Sequence, residues 1–286
     1  MSETIKLDKN TNPYRDDLAA EKLKGLVDAT KFITPITKQI VTGSASVKSA
    51  PDDNATQVSE ALCSDIFEIY DEINGYAWGQ VGRNDYVGYI KTNALTDEII
   101  TPNRKIRALR TYGFSIPKVQ GMVLSQLSMN AQVFATDEIE NGYVNCGRHG
   151  WIYEKHLAKL DEYYPDPAEV AKLFLNAPYY WGGVQSYGLD CSGLVETSFA
   201  ACGIKLPRDA YMQEKCGQEV TIKDDLSCLK RNDLIFWKGH VGIMIDADNF
   251  IHSNAFHMCV AIEPLKIAQE RYEKSDLPIR SIRRVM

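Results

Sequence analysis

The stretch that decides the fold is APYYWGGVQSYGLDCSGLVETSFAACGI, residues 177–204. Gly182 and Gly183 permit an unusual backbone turn, because glycine reaches conformations that other residues avoid. After the Cys-Ser-Gly triplet the apolar residues recur every three or four positions, which predicts a helix that ends near Gly203. Cys191 therefore stands at the start of a helix.

This position gives Cys191 a chemical role. The unpaired amides and positive dipole end of a helix stabilise a thiolate and lower the pKa of the thiol. The same amides can hold a developing oxyanion. The alternative is a small buried hydrophobe, the commonest role of cysteine. We assign that ordinary role to five other cysteines: Cys63, Cys146, Cys202, Cys216 and Cys259.

A nucleophilic thiol needs an imidazole nearby. His240 opens the run GHVGIMI after an apolar strand, and His252 stands in FIHSNAF on the next strand. A lone histidine at a strand start is usually structural. A cysteine at a helix start, followed by histidines on paired strands, is instead typical of papain-type chemistry. His149 and His156, in a β-rich region upstream, are predicted to lie on the surface.

The hairpin between these two strands decides whether the histidines meet. If residues 247–249 form its loop, His240 and His252 share one face of the sheet. In that register they are about four residues, or roughly 13 Å, apart along the strand. A bulge near Gly242 or a shifted register would close the gap. Asn254 lies closer to His240 in the simple register and is the other candidate for the group that orients it.

The region upstream repeats one pattern. FEIYDEINGYAWGQVGRNDYVGYIKTNAL, residues 67–95, matches AQVFATDEIENGYVNCGRHGWIYEKHL, residues 131–157, in outline. Each copy has a strand, an acidic stretch closing at Asn-Gly-Tyr, a Gly-Arg turn and a last strand. The Asn-Gly pairs favour hairpin turns. We interpret the copies as two small tandem β-barrels; the alternative is that unrelated β-domains share such turns.

The predicted domain boundaries lie where the sequence pattern changes. Leu18 and Leu23 fall near helical spacing in the polar N-terminal region. Pro165 and Pro167 end the last strand of the second copy, and Asp166 can cap a new helix. The predicted architecture is α+β, in four parts: a partly helical extension over 1–35, β-domains over 36–100 and 101–160, and a mixed domain over 161–286.

Composition excludes several functions. Hydrophobic residues make up 44% and charged residues 24%, as in an ordinary globular protein. The net charge of -6 without a dense basic run argues against nucleic acid as a partner. Seven cysteines without a C-x-x-C pair favour reduced thiols over zinc or disulfides. We expect no metal or cofactor, no membrane segment, and, without a signal-peptide pattern, a cytoplasmic location.

The ordered motifs carry a family resemblance. P-Y-Y-W-G-G, L-D-C-S-G-L-V, L-P-R-D, R-N-D-L-I-F-W, G-H-V-G-I and F-I-H occur in that order between about residues 178 and 252. The set resembles the NlpC/p60 family of cysteine peptidases, and the upstream repeats resemble bacterial SH3-like domains. The resemblance implies a papain-like domain with Cys191 as nucleophile, His240 as general base and acid, and His252 as the orienting residue.

The resemblance also implies a substrate. Family members typically cut cell-wall peptides beside γ-linked D-glutamate. Those with two preceding SH3-like domains act as γ-D-glutamyl-L-diamino acid endopeptidases of the dipeptidyl-peptidase VI type. Their substrate is a free L-Ala-γ-D-Glu-diamino acid stem peptide, recognised by its amine, so murein peptide recycling or turnover is the expected role.

Several residues are implied to bind this substrate. Asp190 is implied to pair with the ammonium group, supported by the first SH3-like domain through Glu60 and Tyr86. Tyr180 is implied to lie by the thiolate. Ala210 stands where such relatives often have serine, which removes one hydroxyl contact. The other implied contacts are Trp181, Ser192, Arg208 and Asp209.

Two other functions are compatible with the same sequence. One is a cell-wall binding protein that uses its SH3-like repeats. The other is an amidase or acyltransferase on a different substrate, because a fold and a thiol do not fix the substrate. A pure binding protein has no use for Cys191, His240 and His252 together, so we favour the peptidase.

Overall fold

The computed structural model describes residues 7–223 and 225–286. The chain forms two compact units. The first takes the described residues up to Lys105 together with Thr111–Leu127 and Ala131–Lys155. The second combines Ile106–Arg110 and Ser128–Asn130 with His156–Met286. The first unit is rich in strands and the second mixes strands with α-helices, so the predicted α+β class is confirmed.

The N-terminal segment forms two short parallel strands, β1 (Leu18–Ala20) and β2 (Lys31–Ile33), and a 3-10 helix at Glu21–Leu23. The helix predicted here is therefore wrong beyond this single turn. The buried side chains of β1 and the 3-10 helix pack with Tyr70 and Trp78 of the following domain. This tertiary packing outweighs the helical spacing of the leucines.

The first β-domain is a seven-stranded antiparallel sheet with the order β5-β4-β8-β7-β6-β3-β9. Asn74 and Gly75 both have positive φ between the paired residues Ile73 and Tyr76, so the predicted Asn-Gly hairpin is confirmed. A 3-10 helix, Thr92–Ala94, precedes the last strand. The strands are β3 (Ile36–Ile40), β4 (Ser44–Lys48), β5 (Gln57–Leu62), β6 (Ile66–Ile73), β7 (Tyr76–Val81), β8 (Val87–Lys91) and β9 (Leu95–Thr96).

The second repeat contains a five-stranded sheet with the order β12-β11-β16-β15-β14. Asn141 and Gly142 have positive φ between the paired residues Glu140 and Tyr143, which confirms the second hairpin. That this region is a second SH3-like barrel stays a prediction. The strands of this sheet are β11 (Arg110–Phe114), β12 (Val123–Ser128), β14 (Ile139–Glu140), β15 (Tyr143–Asn145) and β16 (Trp151–Tyr153). The same region also has β10 (Arg104–Ile106) and β13 (Gln132–Val133), which pair with each other in a separate sheet.

His149 lies at the end of the 3-10 helix Gly147–His149, and the surface position predicted for it is wrong. The ring is buried, with Nε2 3.3 Å from the Sγ atom of Cys63. Burial lowers the pKa of His149 to about 4. This thiol–imidazole contact is therefore a neutral part of the core. His156, in the 3-10 helix Glu154–His156, is partly exposed.

The second unit is built on a six-stranded antiparallel sheet with the order β20-β25-β21-β22-β23-β24. Besides the six strands of this sheet, the unit has three that lie in other sheets, β17 (Leu157–Lys159), β18 (Val184–Gln185) and β19 (Gly188–Leu189). The six are β20 (Gln218–Glu219), β21 (Leu234–Trp237), β22 (His240–Met244), β23 (Asn249–Asn254), β24 (Cys259–Pro264) and β25 (Ser281–Arg284). The helices of the unit are α1 (Pro167–Leu173), α2 (Cys191–Ala201), α3 (Ala210–Gln213) and α4 (Leu265–Glu273).

Alternation along the strands divides this sheet into two apolar faces. On β21, Leu234 and Phe236 join the core that contains α1 and α2. Ile235 and Trp237 join a second core with the buried residues of α4. The sheet is therefore covered by helices on both faces, which explains why its central strands are almost continuously apolar.

Helix α1 begins where the sequence predicted. Pro167 is its first residue, and the Asp166 side chain accepts a hydrogen bond from the Ala168 amide at 3.0 Å. Asp166 also pairs with Arg231, whose Nε lies 2.7 Å from Oδ2. The cap and the ion pair together fix the start of α1.

Asp166→Ala is expected to lower the stability of the second unit by about 1–2 kcal/mol, because it removes the helix cap and the ion pair. Asp166→Asn keeps an effective cap and should cost less than about 1 kcal/mol. Chemical denaturation followed by tryptophan fluorescence would measure both. Equal losses in the two variants would contradict the importance of the cap.

Candidate active site

Cys191 is the first residue of α2, and the helix ends just before Gly203, whose φ is +81°, as predicted. Asp190 caps the helix through a 2.7 Å hydrogen bond from the Gly193 amide. A Cβ atom at position 193 would lie only 2.1 Å from the carbonyl oxygen of Gly183. The Gly-Gly and Cys-Ser-Gly motifs are thus two sides of one close backbone contact that sets the position of Cys191.

The Asp190 carboxylate is fully engaged by neighbouring donors. Arg208 binds it through both terminal nitrogens, at 2.9 and 2.6 Å, and the Gly182 amide donates to it at 2.8 Å. Arg208 also donates to the Ser192 hydroxyl at 2.9 Å. Asp190, Ser192 and Arg208 are all buried. Their implied substrate contacts stay predictions, and the contacts seen tie the start of α2 to the glycine turn.

The β22–β23 hairpin has a tighter register than predicted. Met244 pairs with Phe250 rather than lying opposite His252, so of the two alternatives, a bulge or a shifted register, the strands show a shift of two residues. His240 Nε2 lies 2.8 Å from His252 Nδ1 as a result. The structure thus brings His252 into contact with His240. Asn254, the other candidate, instead contacts His257, accepting from its amide at 2.8 Å.

Gly242 makes this contact possible. A Cβ atom there would lie 2.5 Å from Cδ2 of Phe250 and 3.2 Å from Cβ of His252. The missing side chain lets Phe250 and His252 lie close over β22. The register shift that the sequence left open is therefore accommodated by a glycine rather than by a bulge.

Two residues that sequence reasoning missed extend the contact. His252 Nε2 lies 2.8 Å from Oε1 of Glu263, and Arg271 binds both oxygens of Glu263 at 2.8 and 2.5 Å. Burial alone would raise the pKa of Glu263, but hydrogen bonds from Arg271 and His252 bring it to about 2. Glu263 is therefore ionised. The available signal was an acidic residue within the apolar strand CVAIEP.

Aromatic rings surround His240. The Trp237 and Tyr272 rings lie 5.8 and 5.6 Å from its ring, and 5.0 Å from each other, measured between centroids. Burial lowers the pKa of His240, and the neighbouring His252 lowers it further. The resting imidazole is therefore neutral, and the aromatic faces are available to stabilise a positive charge that develops on it.

The thiol of Cys191 is neutral at rest as well. Burial, and then the charge of Asp190, raise its pKa to about 12, although the Val241 and Ser192 amides oppose this by hydrogen bonding to the sulfur. The lowered pKa predicted from the helix start is wrong, because desolvation outweighs the amides. Since Val241 directly follows His240, its amide holds the sulfur at the start of β22.

Tyr179 and Tyr272 are both linked electrostatically to Cys191, whose thiolate would raise their pKa values. Burial first, and then negative charge on Cys191 and Asp190, raise the pKa of Tyr179 to about 12. The resemblance implied its neighbour Tyr180 instead. Tyr180 and Trp181 are 49% and 61% exposed, and their substrate contacts stay predictions.

The remaining predicted substrate residues lie in different settings. Asp209 is partly exposed and precedes α3. In the first unit, Glu60 lies on β5 and Tyr86 is packed in the core of the β-domain, both largely buried. Arg83 donates to the backbone oxygen of Glu60 at 3.1 Å. The roles of Glu60 and Tyr86 in substrate recognition stay predictions.

Two regions of the chain match models of known protein families. Residues 176–275 match the model of the NlpC/P60 family, and residues 47–95 match that of the bacterial dipeptidyl-peptidase SH3 domain. The chain carries an NlpC/P60 domain and a bacterial SH3 domain. The first of these contains Cys191, His240 and His252 together with Glu263 and Arg271.

Curated relatives share these regions. A γ-D-glutamyl-L-lysine dipeptidyl-peptidase of Bacillus subtilis is 35% identical over 123 residues, which is 40% of each chain. Dipeptidyl-peptidase 6 of Lysinibacillus sphaericus is 24% identical over 73% of this chain and 84% of its own. The match to the Bacillus subtilis relative covers only two fifths of that protein's length.

The fold has a counterpart among solved structures. A Bacillus cereus NlpC/P60 family protein superposes with a TM-score of 0.71 at 22% identity, covering 87% of this chain and 99% of its own. At this identity the likeness concerns the fold alone. Within residues 7–223 and 225–286, no helix is both long and apolar enough to cross a membrane.

Gly242→Ala should reduce kcat on a cleaved substrate by about 10-fold or more, because the new methyl group pushes His252 away from His240. Gly82→Ala is the matched control, since its nearest contact would be 3.4 Å away and its φ is not in the left-handed region. Thermal unfolding of both variants separates misfolding from a local effect. Wild-type kcat in Gly242→Ala would contradict the need for this close approach.

Alkylation of Cys191 by iodoacetamide should accelerate continuously from pH 6 to pH 10, because only the thiolate reacts and the pKa of the thiol is raised. Mass spectrometry of tryptic peptides would give the rate at Cys191 separately from the other cysteines. A fast rate that is constant between about pH 5 and pH 7 would reveal a resting thiolate–imidazolium pair and contradict this expectation.

Proposed function

We propose that the protein is a cysteine peptidase that hydrolyses the γ-D-glutamyl–diamino acid bond of cell-wall stem peptides with a free N-terminal L-Ala. The observation that carries the proposal is the hydrogen-bonded series His240–His252–Glu263 beside a cysteine at a helix start. The names of the two dipeptidyl-peptidase relatives and the SH3 domain support the choice of substrate.

The hydrogen bonds define where the protons lie. Ionised Glu263 can only accept, so His252 donates through Nε2 and keeps a lone pair on Nδ1. His240 must then donate through Nε2 to that lone pair. The remaining lone pair of His240 is on Nδ1, which makes Nδ1 the atom that acts as the base.

Hydrolysis follows in two stages. His240 Nδ1 takes the thiol proton as the sulfur of Cys191 attacks the γ-carbonyl carbon, and His252 stabilises the imidazolium through its Nδ1. The amides at the start of α2 are available to the oxyanion. His240 then protonates the departing diamino acid, which leaves a thioester. Water, deprotonated by His240, cleaves the thioester and releases the L-Ala-γ-D-Glu dipeptide.

Recognition of the substrate amine requires an accessible acid. Asp190 is buried and bound on both oxygens, chiefly by Arg208, so a substrate ammonium would have to compete with a guanidinium that is already in place. Asp209 is partly exposed and only one residue from Arg208. We propose that Asp190 and Asp209 both attract the ammonium group, with Arg208 balancing part of their charge.

The physiological setting belongs to the same proposal. An enzyme that requires a free L-Ala amine acts on released stem peptides rather than on intact polymer. We propose recycling or turnover of murein peptides, and a cytoplasmic location, as the context for this activity.

The proposal is tested with L-Ala-γ-D-Glu-L-Lys and the diaminopimelate analogue, each with a free and an N-acetylated amine, analysed by mass spectrometry. We expect the dipeptide L-Ala-γ-D-Glu as product and a loss of at least about tenfold in kcat/KM on acetylation, since acetylation removes the charge and leaves acceptors unpaired. Cys191→Ala should be inactive, with Cys216→Ala as the control.

The outcomes separate the parts of the proposal. Full activity in folded Cys191→Ala would overturn the chemistry. Equal cleavage of free and acetylated peptides would overturn amine recognition alone. His240→Ala should lose far more rate than His257→Ala, because only His240 is assigned proton transfer. His252→Ala should be intermediate, because water can partly replace an orienting group.

Cell-wall binding is a second candidate function, favoured by the bacterial SH3 match over residues 47–95. Sedimentation of the inactive Cys191→Ala variant with purified insoluble wall tests it directly. Retention in the pellet at physiological salt would support binding, and complete recovery in the supernatant would reject it.

A further inference from the structure

We propose that Glu263 and Arg271 are positioning residues whose ion pair fixes the tautomers of both histidines. The inference rests on the proposed function, since it concerns the base of that reaction. Neither residue needs to touch the substrate. Their effect passes through His252 to the Nδ1 atom of His240, three hydrogen-bonded groups from the guanidinium.

Arg271 determines which way the series of hydrogen bonds points. Glu263 is only 8% exposed, and one of its oxygens, Oε1, receives both His252 Nε2 and Arg271 Nη2. Burial on its own favours the protonated acid. A protonated Glu263 could donate to His252 Nε2 and would no longer require a hydrogen there. The bidentate guanidinium prevents this by keeping the carboxylate charged.

Reversal of the series would disable the base. If His252 carried its proton on Nδ1, the Nε2 atom of His240 would have to accept, and the proton of His240 would move to Nδ1. The thiol of Cys191 would then face an N–H group instead of a lone pair. The pairing of Arg271 with the buried Glu263 carboxylate thus decides whether the resting enzyme has a base at all.

Strand β24 and helix α4 position Glu263 and Arg271 against the sheet. Glu263 lies on β24 opposite Phe250, and α4 follows directly, anchored by buried Leu265 and Ala268. The Arg271 guanidinium also lies 4.2 Å from the centroid of the Phe256 ring. The arginine is therefore held between an aromatic face and the carboxylate, which restricts it to the bidentate geometry.

A metal-binding role for this cluster is disfavoured. Ligand atoms of His252, His257 and Glu263 lie within 4.8 Å of one another. His252 Nε2 already binds Glu263 Oε1, and Arg271 adds a positive charge directly on the carboxylate. A cation would have to displace a guanidinium, so the cluster is better suited to orienting an imidazole.

The test combines kinetics with a spectroscopic readout on the full chain. Long-range ¹H–¹⁵N correlation of the imidazoles reports the tautomer of each histidine directly. We expect the proton of His240 on Nε2 in the wild type. Glu263→Gln replaces a group that can only accept by an amide whose NH₂ group can donate to His252 Nε2 while its oxygen keeps the Arg271 Nη1 contact, so the reversed series becomes accessible.

Glu263→Gln should lower kcat by about 10- to 100-fold with KM within about twofold, the scale seen when an outer partner of a functional histidine is lost. The Nδ1-protonated form of His240 should appear in its spectrum. Arg271→Lys keeps the charge and should retain kcat within about threefold and the wild-type tautomer, whereas Arg271→Met should resemble Glu263→Gln.

Asp233→Asn is the matched control, because Asp233 is a buried carboxylate bound bidentately by Arg284 in the same unit, with both bonds at 2.7 Å. It should lower the melting temperature and leave the tautomers unchanged. Wild-type kcat and tautomers in Glu263→Gln would overturn the inference, as would a loss of kcat with unchanged tautomers. A wild type that cleaves no stem peptide would count against the proposed function only, since the spectra still decide the tautomers.

Discussion

The buried ion pair between Asp190 and Arg208 is the interaction on which the site depends. It joins three separate parts of the second unit: the cap of α2, the glycine turn through the Gly182 amide, and the segment before α3. Each part alone would be a flexible loop. A buried carboxylate satisfied by a guanidinium and two amides has few alternative arrangements, so Cys191 is held in one position.

The two reacting groups, Cys191 and His240, differ from this ion pair in being uncharged. Cys191 and His240 are both neutral at rest, because burial destabilises the thiolate and the imidazolium more than nearby groups stabilise them. Charge is stored further away, on Glu263 and Arg271. This arrangement directs the lone pair of the base without placing an ion beside the thiol, so charge develops at Cys191 and His240 only as the reaction proceeds.

The two units differ in what holds them together. The β-domains of the first unit rely on short strands, tight Asn-Gly hairpins and small apolar cores such as that around Phe67. The second unit buries a sheet between helices on both faces. A rigid sheet is suited to presenting histidines at fixed distances, whereas short strands and loops vary more easily.

The sequence by itself determined the α+β class, the Asn-Gly hairpins, the Asp166 cap and the position of Cys191 at a helix start, because each depends on neighbours within a few residues. It could not determine the strand register, the partner of His240 or the pKa of Cys191. Register depends on contacts such as the one that Gly242 permits between strands, and pKa depends on burial by residues distant in sequence. The same reason explains the failed N-terminal helix, whose Leu18 and Leu23 pack with Tyr70 and Trp78 instead. It also explains why Glu263 and Arg271 were not recognised, since the pairing of β23 with β24 brings Glu263 to His252 and α4 brings Arg271 to Glu263.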